Sequence, residues 1–237
     1  MIKLRKIRHI GAMRYSSIEL LVTLVLLIMV TPFVEDMKHG SQIEAGMLTL
    51  VLISAGLAVG GRRRVMIIAS MLLVPTLLAQ WTHHLFPHLV SPGAHLVLGM
   101  LFIGFVVGHL LRFILRAARV DAEVLCAGIS VYLMIGLMWA LAYMLTGNLS
   151  ASAFSFANDP DPTNDRTMTS FNAFYFSFTT LSTLGFGDIA PVSKVARTLA
   201  IMEAVTGMFY MAILISRLVS MYAPAAAATE SETDSES

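Results

Sequence analysis

Residues 180–191 read TLSTLGFGDIAP and hold two glycines, Gly185 and Gly187, with one residue between them. Glycine loses more conformational freedom on folding than any other residue, so a Gly-x-Gly pair usually marks backbone that takes a positive φ or that a side chain would obstruct. A run of Ser and Thr precedes the pair, and Asp188 follows it. The role of this stretch depends on the chain around it.

The chain is far more apolar than a soluble domain. Of its 237 residues, 57% are hydrophobic and only 13% are charged, and the mean hydropathy is +0.75. An ordinary soluble domain is about 25% charged, so the composition indicates an integral membrane protein. The net charge of +1 argues against a nucleic-acid partner. Cys126 is the single cysteine, which excludes an intramolecular disulfide.

Six apolar segments are long enough, or nearly so, to cross a bilayer as helices. A spanning helix needs about 20 mostly apolar residues, and we place such segments at residues 18–34, 43–60, 65–81, 95–115, 124–145 and 196–221. A seventh apolar piece, 171–184, is too short to cross but too apolar for a solvated loop, which predicts a re-entrant segment. The expected fold class is an all-α integral membrane protein with six transmembrane helices and a re-entrant helix.

The basic residues predict the orientation and the domain layout. If residues 1–17 form a cytoplasmic N-terminus, 12 of the 16 Lys and Arg lie inside: five before residue 18, three at 62–64, three at 112–119, and Arg217. This agrees with the positive-inside rule and places both termini in the cytoplasm. Residues 18–120 are expected to form a four-helix peripheral domain and residues 121–221 a second block. The acidic, Ala-rich tail 222–237 is expected to be disordered, which leaves no segment for a soluble regulatory domain.

The glycine pair suits the binding of a dehydrated cation by backbone oxygens. Because Gly185 and Gly187 can take positive φ, successive carbonyls around them can turn to the same side. The apolar piece 171–182 fits a short helix whose C-terminal end carries partial negative charge, which favours a cation nearby. The Thr183 hydroxyl adds a further oxygen. One chain supplies too few oxygens to surround an ion, so a ring of chains is predicted.

The stretch Thr180-x-x-Thr183-Leu-Gly-Phe-Gly-Asp188 resembles the potassium-channel signature T-x-x-T-V-G-Y-G-D, with Leu184 for Val and Phe186 for Tyr. The similarity covers about residues 124–221, in the order outer span, turret, pore helix, filter, Pro191 and inner span. It implies a small prokaryotic six-span potassium channel of the pore-loop superfamily, a homotetramer in membrane lipid that conducts K⁺ passively without a cofactor or a soluble partner. It also implies that K⁺ binds at the filter residues Thr183, Leu184, Gly185, Phe186 and Gly187.

The resemblance also identifies the residues expected to support the filter. In the family, the filter tyrosine usually bonds to the pore helix; here it is Phe186, so that support is expected to be partly missing. Some relatives pair the acid after the filter with a pore-helix Glu, and Thr179 stands at that position. The expected supporting residues are Asp188, Thr179, Thr180, Tyr175 and Glu203.

Glu203 lies within the last predicted span, where a carboxyl is costly and is a functional candidate by default. We expect it behind the filter, bonded to pore-helix hydroxyls such as those of Thr179 or Ser177. The alternative is a hydrated position near the outer interface, paired with Arg197.

Gating residues are less clearly marked. Arginines of the fourth predicted span lie only at its cytoplasmic end, at Arg112, Arg116 and Arg119, so no conventional voltage sensor is expected. Gly207 stands where inner helices of this family often carry a bending glycine, and it suits either a hinge or close packing against the pore helix. Histidines at 83, 84 and 88 suit either a metal or pH-sensing site or a simple interfacial position.

Two other functions were compared with a potassium channel. A weakly selective or non-selective cation channel is the alternative within transport, because Leu184 and Phe186 both alter the usual filter. An intramembrane enzyme would need a nucleophile and a base facing one cavity at membrane depth. His109 is the only histidine deep in a predicted span, and no such pair is evident, so the chain is not expected to be an enzyme.

Overall fold

A computed structural model of the chain describes residues 2–34, 37, 39–60, 63–85, 91, 93–117, 121–157 and 168–235. The elements in these ranges are, in order, α1 (Ile2–Val34), α2 (Gly40–Ala58), α3 (Arg63–Leu85), α4 (Ala94–Arg116), α5 (Ala122–Leu149), a 3₁₀ turn (Ala151–Ala153), β1 (Phe154–Phe156), α6 (Ser170–Leu181), β2 (Ile189–Pro191) and α7 (Lys194–Ser235).

Six of these helices are long and apolar enough to cross a membrane. The spans are Ser17–Val34 of α1, all of α2, Arg63–His83 of α3, all of α4, all of α5, and Lys194–Ser220 of α7. They coincide with the six predicted segments to within a few residues. The predicted all-α membrane fold is confirmed, and the chain is a multi-pass membrane protein.

The helix α6 is too short to span a bilayer, and its start and end have local causes. The Thr169 hydroxyl caps its N-terminus by accepting from the Asn172 backbone nitrogen at 3.3 Å. The helix stops at Leu181, after which residues 182–188 are not helical. This is the short helix followed by irregular backbone that the apolar segment 171–184 predicts.

The first four helices pack against α5 of the same chain, mainly through α4 and α1. The core between them joins Phe102 and Val106 of α4 to Val131 and Met134 of α5, all of which are fully buried. In the 18-residue apolar window of α5, 61% of the residues are buried, against only 17% in the corresponding window of α7. A large part of α7 is therefore uncovered in a single chain.

A two-stranded antiparallel sheet, which the sequence did not predict, joins the segment after α5 to the segment before α7. Phe154 pairs with Pro191 and Phe156 with Ile189. The backbone nitrogen of Ala157 also donates to the Asp188 carbonyl at 2.8 Å. The backbone that follows the glycine pair is therefore hydrogen-bonded to the segment after α5.

Helix α7 is described as far as Ser235. Disorder of residues 222–237 stays a prediction from their composition. Residues Ala225–Ala228 are four consecutive alanines, and because alanine has the highest helix propensity they favour continuation of the helix.

Nearer the start of α7, the Arg217 guanidinium donates to the Ala117 carbonyl at 2.8 Å and to the Leu115 carbonyl at 3.2 Å. It thus caps the C-terminal end of α4, near Arg112 and Arg116; Arg119 lies outside the described residues.

Candidate functional site

The backbone of residues 183–187, which we call the TLGFG segment, alternates in hand. Thr183, Gly185 and Gly187 have φ of 61°, 53° and 81°, whereas Leu184 and Phe186 have negative φ. In a β-strand, successive carbonyls point in opposite directions. When residues in left-handed backbone conformation alternate with residues of negative φ, successive carbonyls instead turn to the same side of the chain. Thr183 is the one non-glycine residue with positive φ in the described part of the chain. Its strained conformation marks this backbone as a functional candidate.

Hydrogen bonds hold the TLGFG segment to the end of α6. The nitrogens of Leu184 and Gly185 both donate to the Thr179 carbonyl, at 2.8 and 3.2 Å, and the Thr183 nitrogen donates to the Thr180 carbonyl at 3.0 Å. The last carbonyls of a helix have no partner inside the helix, and here the segment supplies one. Thr179 and Thr180 therefore contact the segment through their backbone. The Thr179 hydroxyl instead donates to the Phe176 carbonyl.

The TLGFG segment is exposed at the surface of the single chain. Every residue from 182 to 187 is exposed. Leu184 and Phe186, which are large and apolar, are 63% and 68% exposed. Apolar side chains of this size at the end of a buried helix are typical of a surface that another chain covers.

Asp188 has a partner that the sequence did not identify. The Tyr175 hydroxyl hydrogen-bonds to the Asp188 carboxylate, and this bond, more than burial, raises the pKa of Tyr175 above its usual value. The Tyr175 ring also stacks on the Phe186 ring, with centroids 6.3 Å apart and planes 9° apart. One side chain of α6 thus contacts residues on both sides of Gly187. In the sequence, Tyr175 is the nearest residue before Phe186 that carries an aromatic hydroxyl.

Glu203 of α7 is completely buried behind α6. The Ser177 hydroxyl lies 2.5 Å from its Oε1, and the Tyr143 hydroxyl donates to its Oε2 at 2.5 Å. The Ser177 hydroxyl also reaches the Gly136 carbonyl on α5, at 2.8 Å. Glu203 therefore joins α7 to both α6 and α5. Of the two sequence candidates, Ser177 is the one that bonds it, and Glu203 is too deeply buried to be hydrated.

Tyr143 is the functional candidate that the sequence analysis missed. It is fully buried, and its ring makes edge-to-face contacts with Phe176, at 4.8 Å, and Phe154, at 5.8 Å. These ring contacts fix the position of the Tyr143 hydroxyl next to Glu203. A tyrosine in an apolar span is common enough to give no sequence signal; only a search for a hydroxyl partner to the buried carboxyl would have singled it out.

Gly207 lies where α7 crosses the end of α6. A Cβ added at this position would overlap the carbonyl oxygen of Leu181 and lie 3.0 Å from its Cδ1 atom. The helix runs without interruption through this position. The geometry accounts for the glycine by close packing against α6, the second of the two predicted alternatives.

The remaining candidates are distributed elsewhere. His83 stacks on His95, with ring centroids 4.2 Å apart, and His88 lies outside the described residues. Among the described residues, no group of three or more His, Cys, Asp or Glu side chains could hold a metal ion. Any ion at the TLGFG segment would be held by oxygens of the backbone and of the Thr183 hydroxyl.

Comparisons with known proteins point to the same part of the chain. Residues 124–223 match a family model described as an ion channel. Over 91 residues the chain is 31% identical to the inward rectifier potassium channel Kirbac3.1 of Paramagnetospirillum magnetotacticum, covering 38% of this chain and 27% of that protein. Over 49 residues it is 43% identical to two-pore potassium channel 4 of Arabidopsis thaliana, covering 21% and 17% of the two chains.

The chain therefore spans about a quarter or less of the length of these relatives. The similarity supports a pore-loop channel and points away from an enzyme. The match to the family model begins at residue 124, within α5. No solved structure matches the chain.

Proposed function

We propose that the protein is one subunit of a homotetrameric, potassium-selective channel of the cell membrane that conducts K⁺ passively. The observation that carries this proposal is the alternating hand of the TLGFG segment. With positive φ at residues 183, 185 and 187, its carbonyls and the Thr183 hydroxyl can face one axis. Such rings of oxygens replace the hydration shell of the ion.

Four copies are needed because one chain cannot surround an ion. The exposure of Leu184 and Phe186, together with the uncovered face of α7, leaves apolar surface for neighbouring subunits and lipid. The peripheral helices pack on α5 of their own chain, so each subunit brings its own four-helix domain. The positive-inside distribution then supports cytoplasmic termini and a filter that opens to the outside.

The filter would be held in its conducting form by three contacts on its outer and rear sides. The Thr179 and Thr180 carbonyls bind its backbone, Tyr175 binds Asp188, and Glu203 ties α7 to α6. These replace the filter tyrosine and the pore-helix carboxylate that are absent here. Gly207 serves this arrangement by close contact with Leu181, and the hinge role suggested by the sequence is not needed for it.

A non-selective cation channel is the competing function, favoured by the substitution of Phe186 for a hydrogen-bonding tyrosine. Liposome flux measurements separate the two. Purified protein reconstituted with internal K⁺ should release K⁺, and liposomes with internal Na⁺ should release Na⁺ at least tenfold more slowly. Mass measurement of the same sample in nanodiscs should give four chains. Equal release of both ions would contradict selectivity, and any other stoichiometry would contradict the tetramer.

A further inference from the structure

A cavity of about 220 Å³ lies between helices α1 to α6, remote from α7 and from the TLGFG segment. Leu48, Leu52, Ile103 and Leu141 are among the apolar side chains that make up most of its wall. Its wall includes residues from the starts of α2, α4 and α6 and from the end of α3. Nothing in the channel proposal uses it.

Three polar atoms without partners belong to side chains of this wall. The Gln80 amide nitrogen donates to the Ala45 carbonyl at 2.9 Å, and since a carbonyl only accepts, the orientation of the amide is fixed. Gln80 is only 8% exposed, and its Oε1 has no hydrogen-bond partner among the described residues. Nor, within those residues, do the buried Nδ1 atoms of the stacked pair His83 and His95.

Buried polar atoms normally have partners, because leaving one unpaired is unfavourable. Three such atoms at one cavity therefore point to a ligand. Because the Gln80 Oε1 atom only accepts, the ligand must bring a donor. Each neutral imidazole Nδ1 can serve as acceptor or donor.

The cavity is larger than a single water needs, and its mostly apolar wall offers few hydrogen-bond partners to a group of waters. One water occupies roughly 30 Å³, whereas an apolar cavity of about 150 Å³ binds benzene. At about 220 Å³ the cavity suits a ligand of roughly eight non-hydrogen atoms, by proportion to that benzene site. Apolar walls disfavour a charged ligand, which would lose its hydration.

We propose that this cavity binds a small uncharged amphiphile, an aromatic ring or short chain bearing one hydroxyl that donates to Gln80 Oε1. The apolar part would lie against Leu48, Leu52 and Ile103, and the hydroxyl beside the His83–His95 stack. Ser170 and Phe174, at the start of α6, form part of the wall. The site is thus a contact between the peripheral helices and the helix that carries the TLGFG segment.

Equilibrium binding to the full chain in nanodiscs tests this, with binding to protein-free nanodiscs subtracted. The probes are 4-methylphenol, toluene, which lacks the hydroxyl, and benzylamine, which carries a positive charge. We expect 4-methylphenol to bind saturably, at one site per chain. It should bind about fivefold more tightly than toluene, because it makes one hydrogen bond that toluene cannot make. Benzylamine should bind more weakly than 4-methylphenol, even though Glu44 also lines the cavity.

Two variants and a control locate the site. Gln80→Leu should weaken 4-methylphenol about fivefold and leave toluene unchanged, whereas Gln42→Leu, at an exposed position on α2, should change neither. Leu48→Phe keeps every polar group but fills the cavity, and should weaken both probes. Binding that never saturates, equal affinity for 4-methylphenol and toluene, preference for benzylamine, or insensitivity to Gln80→Leu and Leu48→Phe would each overturn the proposal. None of these outcomes depends on whether the protein conducts K⁺.

Discussion

The buried carboxyl of Glu203 provides the sharpest test of how the filter is supported. Its partners are the hydroxyls of Tyr143 and Ser177 rather than a cation, and an ionised carboxylate without a cation is costly to bury. Ser177 has one hydroxyl proton but lies near two oxygens, the Gly136 carbonyl and Glu203 Oε1. If Glu203 itself carries a proton and donates it to Ser177, both contacts are full hydrogen bonds; if it does not, the single Ser177 proton is shared between the two acceptors.

A neutral Glu203 predicts different results for two substitutions. In Glu203→Gln, the amide nitrogen can donate to Ser177 and the amide oxygen can accept from Tyr143, so all three contacts persist and the cost should stay within about 1 kcal/mol. Glu203→Ala leaves the Tyr143 hydroxyl without its partner, at about 1–3 kcal/mol, and creates a cavity. Together these effects should destabilise the protein by about 3–5 kcal/mol per chain.

The readout is obtained by heating the purified protein and measuring by size-exclusion chromatography how much of it keeps its native elution volume. Glu203→Ala should lower the midpoint by about 10 °C and reduce K⁺ flux, whereas Glu203→Gln should resemble the wild type. Glu19→Ala and Glu19→Gln, at an exposed position on α1, control for the loss of a carboxyl. Equal damage by Gln and Ala would show that the charge is required, and a harmless Ala would remove Glu203 from the support of the filter.

Two further substitutions test the contacts around α6. Gly207→Ala places a methyl group on the Leu181 carbonyl and should destabilise the protein by about 1–3 kcal/mol in the same heating assay. Gly108→Ala, where a Cβ meets nothing within 4 Å, should stay within about 1 kcal/mol of the wild type; equal effects would contradict the packing role. Tyr175→Phe removes the donor to Asp188 and should make K⁺ flux decay faster after channel opening. Because the pKa of Tyr175 is raised, its bond is intact below the ordinary tyrosine value of about 10 and is lost as the pH rises through the raised value. Wild-type flux should therefore fall at alkaline pH, and a fall of the same size in Tyr175→Phe would contradict the assignment.

The membrane fold could be predicted from the sequence because the hydropathy of a segment depends only on the residues of that segment, not on contacts with remote parts of the chain. The spans and the short α6 segment follow from runs of apolar residues and their lengths. The TLGFG segment was accessible because glycine at 185 and 187 has a direct backbone meaning, which the positive φ at these positions bears out.

Contacts between segments remote in sequence were harder to predict. Tyr143 is 60 residues from Glu203, and no local pattern connects them. The sequence predicts a supporting contact from the Thr179 hydroxyl, but in the structure the Thr179 carbonyl makes the contact. The carbonyls at the end of a helix need partners whatever the side chain is. The β1–β2 pairing escaped prediction because each strand is only three residues long.

The central claim, that the TLGFG backbone selects K⁺, is tested most directly by the reversal potential in planar bilayers, with K⁺ on one side and Na⁺ on the other. The account predicts a value near the K⁺ equilibrium potential. It further predicts that Gly185→Ala or Gly187→Ala abolishes the current, because alanine is strained at φ of 53° or 81°, although its Cβ would meet nothing within 4 Å in the chain. A reversal potential near zero, or a selective current that survives both substitutions, would contradict it.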